Sequence, residues 1–269
     1  MIDFGLRSDD YARFRPGFPG SFYDRIERFL PLAGAHVLDV GTGPGTVALE
    51  LARRGSTVVG LDIAANQIRA ARERAEQQGL AEHCRFLVGV AEELPGVLPP
   101  EVLPFDLVCA CQCWWWFDGP AVKAGIAQGL RPGGLLVVAS YNYLPRRCPV
   151  AAATEELILE MVPTWDKAGM TGISPDWIDE LSADRLELIE QFCYDHHQPF
   201  THEEWRGRIR TCNGVGSGAM SPEQVEMFDA RLADLLRTRF PGQPMLLPHR
   251  IWAVVVRKPP AEPAAGRIL

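Results

Sequence analysis

Between His36 and Tyr143, short apolar runs alternate with segments whose apolar residues recur at helical spacing. The runs are apolar on both faces, which is typical of strands in a sheet that helices cover on both sides. Repeated strand–helix–strand crossovers predict an α/β fold with a doubly wound, mostly parallel sheet. We predict these strands at HVLDVG (36–41), STVVGLDI (56–63), CRFLVGVA (84–91), FDLVCACQCW (105–114) and LLVVASYNY (135–143).

After Tyr143 the pattern turns helical, and strand character returns only at 186–200 and 249–259. SPDWIDELSADRL predicts a helix with Ser174 as its N-cap, and THEE and SPEQ predict capping boxes. We expect one Rossmann-like domain over 1–269, with an N-terminal cap at 1–30 and a helical insertion at 144–185. Both additions are expected to cover the top of the sheet.

Composition narrows the range of partners. The chain has 269 residues, and its net charge of −7 comes without a basic stripe, which argues against nucleic-acid binding. No apolar run approaches the length that crosses a bilayer, and the residues MIDFGLRSDDYARF do not read as a signal segment, so we expect none. Seven cysteines without a disulfide spacing predict a reducing, cytoplasmic compartment. The sequence leaves a homodimer open.

The segment VLDVGTGPGTVALELA carries the strongest chemical signal. Glycines between a buried strand and a helix allow a sharp turn and a close approach of ligand to exposed N–H groups. Asp62 ends the next strand, where a carboxylate can bind a ribose diol. A dinucleotide fingerprint would place Gly where Thr46 stands. Asp39 beside the loop suits a ligand with an ammonium group and a sulfonium better than a pyrophosphate.

Five blocks in order over residues 37–140 resemble the class I S-adenosylmethionine-dependent methyltransferases, in particular the type-11-like group that acts on small molecules. They are VLDVGTGPGTVALELA, VVGLDIAANQI, FLVGVAEELP, FDLVCACQCWWWFD and LRPGGLLVVAS, and YARFRPGFP (11–19) resembles the group's N-terminal segment. The resemblance implies seven strands in the order 3-2-1-4-5-7-6, with the last strand antiparallel. It also implies S-adenosylmethionine as the cofactor.

The resemblance carries a set of cofactor contacts onto this chain. Asp39 would act on the ammonium group directly or through water, and Asp62 on the ribose hydroxyls. Relatives often have Asp where this chain has Val90, so Glu92 or a backbone carbonyl would serve the adenine amino group. The full set of expected cofactor residues is Tyr11, Arg15, Asp39, Gly41, Thr42, Gly43, Gly45, Asp62, Ile63, Ala91, Glu92, Gln112 and Cys113.

The stretch CQCWWWFD (111–118) allows several interpretations. Cysteines two apart on a strand share one face and do not converge tetrahedrally, so we expect packing and no metal site. Consecutive tryptophans cannot all enter one core, so Trp114, Trp115 and Trp116 are candidates for acceptor contact. The alternative is that these rings wedge a lid against the sheet. Relatives commonly read WHWFD, so Trp115 replaces a histidine and leaves the general base unassigned.

Candidates for the remaining roles lie in the second half of the chain. His197 and His249 are the candidate catalytic histidines, although a lone histidine is more often a packing or surface residue. Arg206, Arg208 and Arg210 alternate on a predicted helix and cannot share one face. Arg208 is the candidate to reach an acceptor's carboxylate or phosphate, and the alternative is a solvated helix.

These features predict a methyltransferase that acts on a small, apolar or aromatic organic acceptor by in-line displacement. Positioning of an already activated methyl group would supply most of the catalysis. Two alternatives stay open: a protein of this fold that binds S-adenosylmethionine but catalyses a non-methylating reaction, and an NAD-dependent oxidoreductase. Thr46 disfavours the second alternative.

Overall fold

A computed structural model describes residues 13–216 and 219–260. Tyr11 lies outside this range. Seven strands form one sheet in the order β3-β2-β1-β4-β5-β7-β6, which confirms the α/β class and the predicted strand order. The strands are β1 His36–Val40, β2 Thr57–Asp62, β3 Cys84–Val88, β4 Phe105–Cys111, β5 Leu130–Tyr143, β6 Glu187–Phe200 and β7 Met245–Arg257.

The direction of the strands follows from their hydrogen bonds. Strand β1 pairs in parallel with β2 and β4, and its residue Leu38 lies opposite Val59 and Val108. The N–H of Gly133 donates to the carbonyl of Lys258, and the N–H of Lys258 donates to the carbonyl of Gly134, both at 2.9 Å. Such an exchange belongs to antiparallel neighbours. The last strand therefore runs antiparallel beside β5, as the resemblance implies.

Eight helices are placed in the described part of the chain. Asp118 caps α4 by accepting a hydrogen bond from the N–H of Ala121, and the capping boxes at Thr201 and Ser221 are both present. The expected cap at Ser174 is wrong, because Pro175 takes the N-cap position and no side chain bonds there. The helices are α1 Gly20–Glu27, α2 Thr46–Arg53, α3 Ala65–Gln77, α4 Gly119–Gly129, α5 Pro149–Met161, α6 Asp176–Ser182, α7 His202–Arg210 and α8 Pro222–Arg239.

The chain divides into two compact units. The larger unit comprises the described residues 21–139, 174–192 and 253–260, and the smaller unit comprises 13–20, 140–173 and 193–252. The single domain with a cap and an insertion stays a prediction. Strands β1, β2 and β4 supply the buried aliphatic core of the larger unit, where Val37, Val58 and Val108 are fully buried. Helices α5, α7 and α8 supply much of the smaller unit's core, including Ile158, Trp205 and Phe228.

None of the helices in the described residues is both long and apolar enough to cross a membrane.

Candidate active site

The loop after β1 turns on three glycines with positive φ. Gly41, Gly43 and Gly45 have φ angles of 66°, 53° and 75°, a left-handed conformation that residues with a Cβ rarely adopt. The N–H of Gly43 donates to Oδ2 of Asp62 at 2.8 Å. The end of β2 therefore fixes the position of the loop. A Cβ at Gly43 would meet no atom of the described residues within 4 Å, so within that part of the chain the loop is open where the ligand is expected.

Asp39 is a buried carboxylate on β1, directly before this loop. Its Oδ2 accepts a hydrogen bond from the hydroxyl of Thr42 at 2.6 Å. Burial raises the pKa of Asp39 to about 7, against the opposing effect of the Thr42 hydrogen bond. No lysine, arginine or histidine of the described chain forms an ion pair with it. A cationic ligand group beside Asp39 would favour its charged form.

Asp62 ends β2 and uses both carboxylate oxygens on the backbone. Oδ2 accepts from Gly43, and Oδ1 accepts from the N–H of Ala64 at 2.9 Å. Burial raises the pKa of Asp62, while these two hydrogen bonds lower it. Each oxygen keeps a second lone pair, so the carboxylate can still accept from a ribose diol. The neighbouring Ile63 is 64% exposed, an apolar surface that a flat base can cover.

The third block forms a short turn after β3. Ala91 is buried, and Glu92 is exposed in a 3₁₀ turn over Ala91–Glu93. Oε1 of Glu92 accepts a hydrogen bond from the N–H of Asp118 at 3.1 Å. This contact links the expected adenine region to the segment that follows the tryptophans.

Strand β4 ends at Cys111, earlier than the predicted end at Trp114, because Gln112 adopts a positive φ of 63°. The Sγ of Cys113 then donates to the carbonyl of Val40 at 3.1 Å. A Cβ at Gly41 would lie 2.8 Å from the Cβ of Cys113. The segments after β1 and β4 thus pack in direct contact. Burial raises the pKa of the Cys113 thiol, which keeps it protonated.

The three alternating cysteines Cys109, Cys111 and Cys113 are free and buried. Within the described ranges, no group of three or more His, Cys, Asp or Glu side chains could hold a metal ion.

The three tryptophans form a 3₁₀ turn and separate into two environments. Trp114 is 2% exposed, and its indole N–H donates to Oε1 of Glu180 on α6 at 3.0 Å. Trp115 and Trp116 are 45% and 41% exposed. The ring of Trp115 stacks on Trp177 of α6, with centroids 6.1 Å apart and planes 18° apart. Trp115 and Trp116 therefore present aromatic faces, whereas Trp114 packs inside.

The smaller unit holds the other predicted residues. Nε of Arg15 donates to the Thr211 hydroxyl at 2.9 Å, and its Nη2 donates to the Thr211 carbonyl at 3.0 Å. His197 is exposed on β6, next to Asp195, whose carboxylate pairs with Arg250. The structure therefore does not bring His197 to the buried interior where His249 lies.

The three alternating arginines of α7 separate by face, as their spacing predicts. Arg206 and Arg210 both pair with Asp229 on α8. Arg208 points elsewhere and is only 3% exposed, with its guanidinium carbon 5.5 Å from the centre of the Tyr143 ring. Its Nη1 donates to Sγ of Cys212 at 3.0 Å. Arg208 is thus the arginine that faces the interior of the smaller unit.

His249 on β7 is fully buried among aromatic rings of the smaller unit. Its Nδ1 lies 3.0 Å from the carbonyl of Leu247, which accepts a hydrogen bond from that nitrogen and so leaves the lone pair on Nε2. Nε2 has no hydrogen-bond partner among the residues that the structure describes. Burial lowers the pKa of His249 to about 3, and the positive charge of Arg208 contributes to the shift. The imidazole is therefore neutral at physiological pH.

Sequence reasoning did not single out the aromatic residues that surround these two side chains. Tyr141 and Tyr143 alternate on β5, and their ring centres lie 5.0 Å and 6.2 Å from that of His249. Glu155 on α5 is a further buried carboxylate of the smaller unit. The alternating tyrosines of SYNY at the end of a strand were the available signal. Nothing in the sequence near Glu155 distinguishes it from a surface residue of a helix.

Comparison with known proteins gives one consistent assignment. A family model for a methyltransferase domain matches residues 37–134. A ubiquinone biosynthesis O-methyltransferase from Xylella fastidiosa is 30% identical over 209 residues, which cover 74% of this chain and 79% of that protein. The homologous enzyme from Psychrobacter cryohalolentis is 28% identical over 175 residues, covering 65% and 67%.

Solved structures show the same fold at low sequence identity. A protein from Anaeromyxobacter dehalogenans described as a type II methyltransferase matches with a TM-score of 0.61 at 21% identity, over 92% of this chain and 98% of that one. The [4+2]-cyclase SpnF matches with a TM-score of 0.55 at 19% identity, over 89% and 81%. Since the sequence relatives extend over most of both chains, this protein belongs to the class I S-adenosylmethionine-dependent methyltransferases.

Proposed function

We propose that this enzyme transfers the methyl group of S-adenosylmethionine to a small acceptor with an aromatic or apolar body, and that the loop after β1 holds the cofactor. The observation that carries the proposal is the buried carboxylate of Asp39, which has no ion-pair partner among the described residues. An unpaired buried carboxylate is costly, and a bound ammonium group would remove that cost.

The residues around the loop fit the other parts of the cofactor. The open space above Gly43 would admit the methionine chain, which Thr42, Gly41, Gly45, Gln112 and Cys113 would border. Asp62 would accept from the ribose hydroxyls, and Ile63 would lie against the adenine. Ala91 and Glu92 would contact the adenine edge. Arg15, tied to Thr211, and Tyr11 are the proposed contacts to the cofactor's carboxylate.

Positioning is the main catalytic contribution that we assign to the protein. The bound cofactor supplies a methyl group already activated by its sulfonium, so in-line displacement needs close alignment of the acceptor atom. The exposed rings of Trp115 and Trp116 suit an acceptor with a flat, apolar body. Trp114 would anchor the same turn through its hydrogen bond to Glu180, since it packs inside.

The methylated atom is proposed to be oxygen. Two relatives carry the name O-methyltransferase, and the free Nε2 of His249 can accept the hydrogen of a hydroxyl group. A base helps most when the acceptor is a weakly acidic hydroxyl. His197 remains the second histidine candidate, on the surface of β6.

Two measurements test the proposal. Calorimetry should show that S-adenosylhomocysteine binds and that NAD does not, and preferential NAD binding would contradict the assignment of the loop. Incubation with methyl-labelled S-adenosylmethionine and a panel of phenols should give a labelled product. Turnover of an acceptor without transfer of label would favour a non-methylating reaction on the same fold.

A further inference from the structure

Arg208 carries a buried positive charge that the described residues of the smaller unit do not balance. A guanidinium has five N–H donors, and the structure gives this one a single hydrogen bond, to Sγ of Cys212. No described carboxylate lies within ion-pair distance of Arg208, whereas Arg206 and Arg210 both reach Asp229. Burying an arginine without an anion is costly, so its retention at 3% exposure indicates an anionic ligand.

Glu155, a buried carboxylate of the same unit, does not balance the charge of Arg208. Oε2 of Glu155 accepts a hydrogen bond from the N–H of Gly169 at 2.7 Å. Burial raises the pKa of Glu155, and its carboxylate forms no ion pair with Arg208. The ring of Tyr143 partly stabilises Arg208 through a cation–π contact, but an aromatic face carries no net charge.

His249 supplies a second and independent indication of a ligand. Its Nε2 is buried, carries a lone pair and accepts no hydrogen bond from residues 13–216 or 219–260. Arg208 and His249 both lie beside Tyr143, with the guanidinium carbon at 5.5 Å and the imidazole centre at 6.2 Å from the centre of that ring. One small molecule beside this ring could therefore meet both requirements, by offering an anion to the arginine and a hydrogen-bond donor to the histidine.

We infer that the acceptor of the proposed methyl transfer is a hydroxy acid: its carboxylate pairs with Arg208, and its hydroxyl donates a hydrogen bond to Nε2 of His249. This inference rests on the proposed function and specifies its substrate class. A carboxylate fits better than a phosphate dianion, because a single uncompensated guanidinium balances a single negative charge and offers two parallel N–H groups.

The pairing has a consequence for His249. In the free protein, burial and the positive charges of Arg208, His196 and Arg15 all lower its pKa, while the hydrogen bond to Leu247 raises it. Tyr141 and Tyr143 face it from β5. A carboxylate on Arg208 would cancel part of the positive field and raise the basicity of Nε2 when substrate is bound. The acceptor's acid group would thus help to activate its own hydroxyl.

Calorimetry on the protein saturated with S-adenosylhomocysteine tests the inference, with 3- and 4-hydroxybenzoate as probes. We expect at least one of them to bind, and its amide to bind about 10- to 100-fold more weakly, since a charge-assisted contact is lost. Arg208→Gln should weaken hydroxybenzoate binding by the same factor as the amide does, and Arg208→Lys should recover part of the affinity. Arg206→Gln on the same helix is the matched control and should bind like the wild type.

Several outcomes would overturn the inference. These are equal affinity for acid and amide, no binding of either hydroxybenzoate, or unchanged affinity in Arg208→Gln. Tighter binding of 4-hydroxyphenyl phosphate than of 4-hydroxybenzoate would also overturn the choice of a carboxylate. Titration with S-adenosylhomocysteine alone separates this failure from failure of the proposed function, because the cofactor should bind Arg208→Gln as it binds the wild type.

A measurement on the wild-type protein covers the case in which Arg208→Gln does not fold. The ¹⁵N chemical shifts of the His249 imidazole report on its protonation and on hydrogen bonding at Nε2. Saturating hydroxybenzoate should shift the Nε2 resonance, and the pKa of His249 should rise relative to the ligand-free protein. Shifts equal to those produced by the amide would contradict the pairing with Arg208.

Discussion

The two units of the molecule each bury a charge that the described residues do not neutralise. In the larger unit it is the carboxylate of Asp39, and in the smaller unit it is the guanidinium of Arg208. The first lies beside a loop made mostly of backbone, and the second lies among side chains drawn from β5, α7 and β7. The glycine loop after β1 is one continuous segment and is recognisable as a sequence motif, whereas the surroundings of Arg208 come from distant segments and leave no motif.

The largest effect should come from Gly41→Ala, which changes the glycine loop after β1. The new Cβ would need a φ of 66° and would meet Cys113 at 2.8 Å. We expect S-adenosylhomocysteine affinity to fall at least about 100-fold and stability to fall by roughly 2–4 kcal/mol. Calorimetry and urea unfolding measure the two effects.

Gly34→Ala is the matched control for this substitution. Gly34 also has a positive φ, 80°, but a Cβ there would meet nothing within 4 Å. It should cost about 1 kcal/mol of stability and leave cofactor affinity unchanged. Equal effects of the two substitutions would show that the contact with Cys113 plays no part.

Asp39→Asn removes the buried anion and should weaken S-adenosylhomocysteine binding about 10- to 100-fold at pH 8. Because the pKa of Asp39 lies at about 7 without ligand, wild-type affinity should rise from pH 6 to pH 8 as the carboxylate ionises. The variant should lack this rise. Calorimetry at three pH values measures both, and an equal pH dependence in the two proteins would contradict the role of Asp39.

The same substitution should also change the stability of the ligand-free protein. The folded pKa of Asp39 lies above its unfolded value of 3.8, so the folded state binds more protons and loses stability as pH rises from about 4 to 7. Asp39→Asn should therefore stabilise the ligand-free protein at pH 8, by roughly 1–3 kcal/mol. A destabilised variant would mean that the carboxylate is already balanced in the free protein.

His249→Gln tests the smaller unit, where stability should fall as pH falls, opposite to the pH dependence that Asp39 gives the larger unit. The folded pKa, about 3, lies below the unfolded value of 6.5, so the unfolded state binds the extra proton between these values. Wild-type stability should fall on acidification below pH 6.5, by up to about 1.4 kcal/mol per pH unit from this group.

Urea unfolding at pH 7, 6 and 5 checks this prediction. His249→Gln should reduce the acid-dependent loss of stability, while the exposed His197→Gln should retain it. If the free energy of unfolding falls equally with pH in both variants, His249 does not cause the acid sensitivity.

The smallest effect is expected at the aromatic surface. Trp115→Ala should raise the KM for a methylated acceptor roughly 3- to 10-fold while changing cofactor affinity less than about 2-fold, since the ring is 45% exposed. Trp177→Ala removes the stacking partner on α6 and should change KM less. If Trp115→Ala weakened cofactor affinity as much as it raised the acceptor KM, Trp115 would not be an acceptor contact.

The strands of the sheet and the glycine turn after β1 could be predicted because each is encoded by a short, continuous stretch of sequence. Apolar runs mark β1 to β5, and the glycines mark the turn whose positive φ angles the structure contains. The end of β4 was placed too late, because nothing in CQCWWW reveals that Gln112 takes a left-handed conformation. That strain depends on tertiary packing against the loop after β1.

The smaller unit was harder to predict, for a physical reason. The spacing of Arg206, Arg208 and Arg210 showed that they diverge, but not which of them would find a carboxylate. Asp229, which pairs with two of them, lies on another helix. The sequence offered both His197 and His249 as candidate catalytic histidines but did not show which of them would be buried. The burial of His249 arises from the packing of aromatic rings that are distant in sequence.

The contact between Gly41 and Cys113 has an evolutionary consequence. A Cβ at position 41 would need a φ of 66° and would lie 2.8 Å from the Cβ of Cys113, and every residue except glycine places a Cβ at position 113. Homologues whose loop follows the same course should therefore keep glycine at position 41, whichever side chain stands at position 113. An alignment of close homologues would display this as an invariant glycine that packs against a position free to vary.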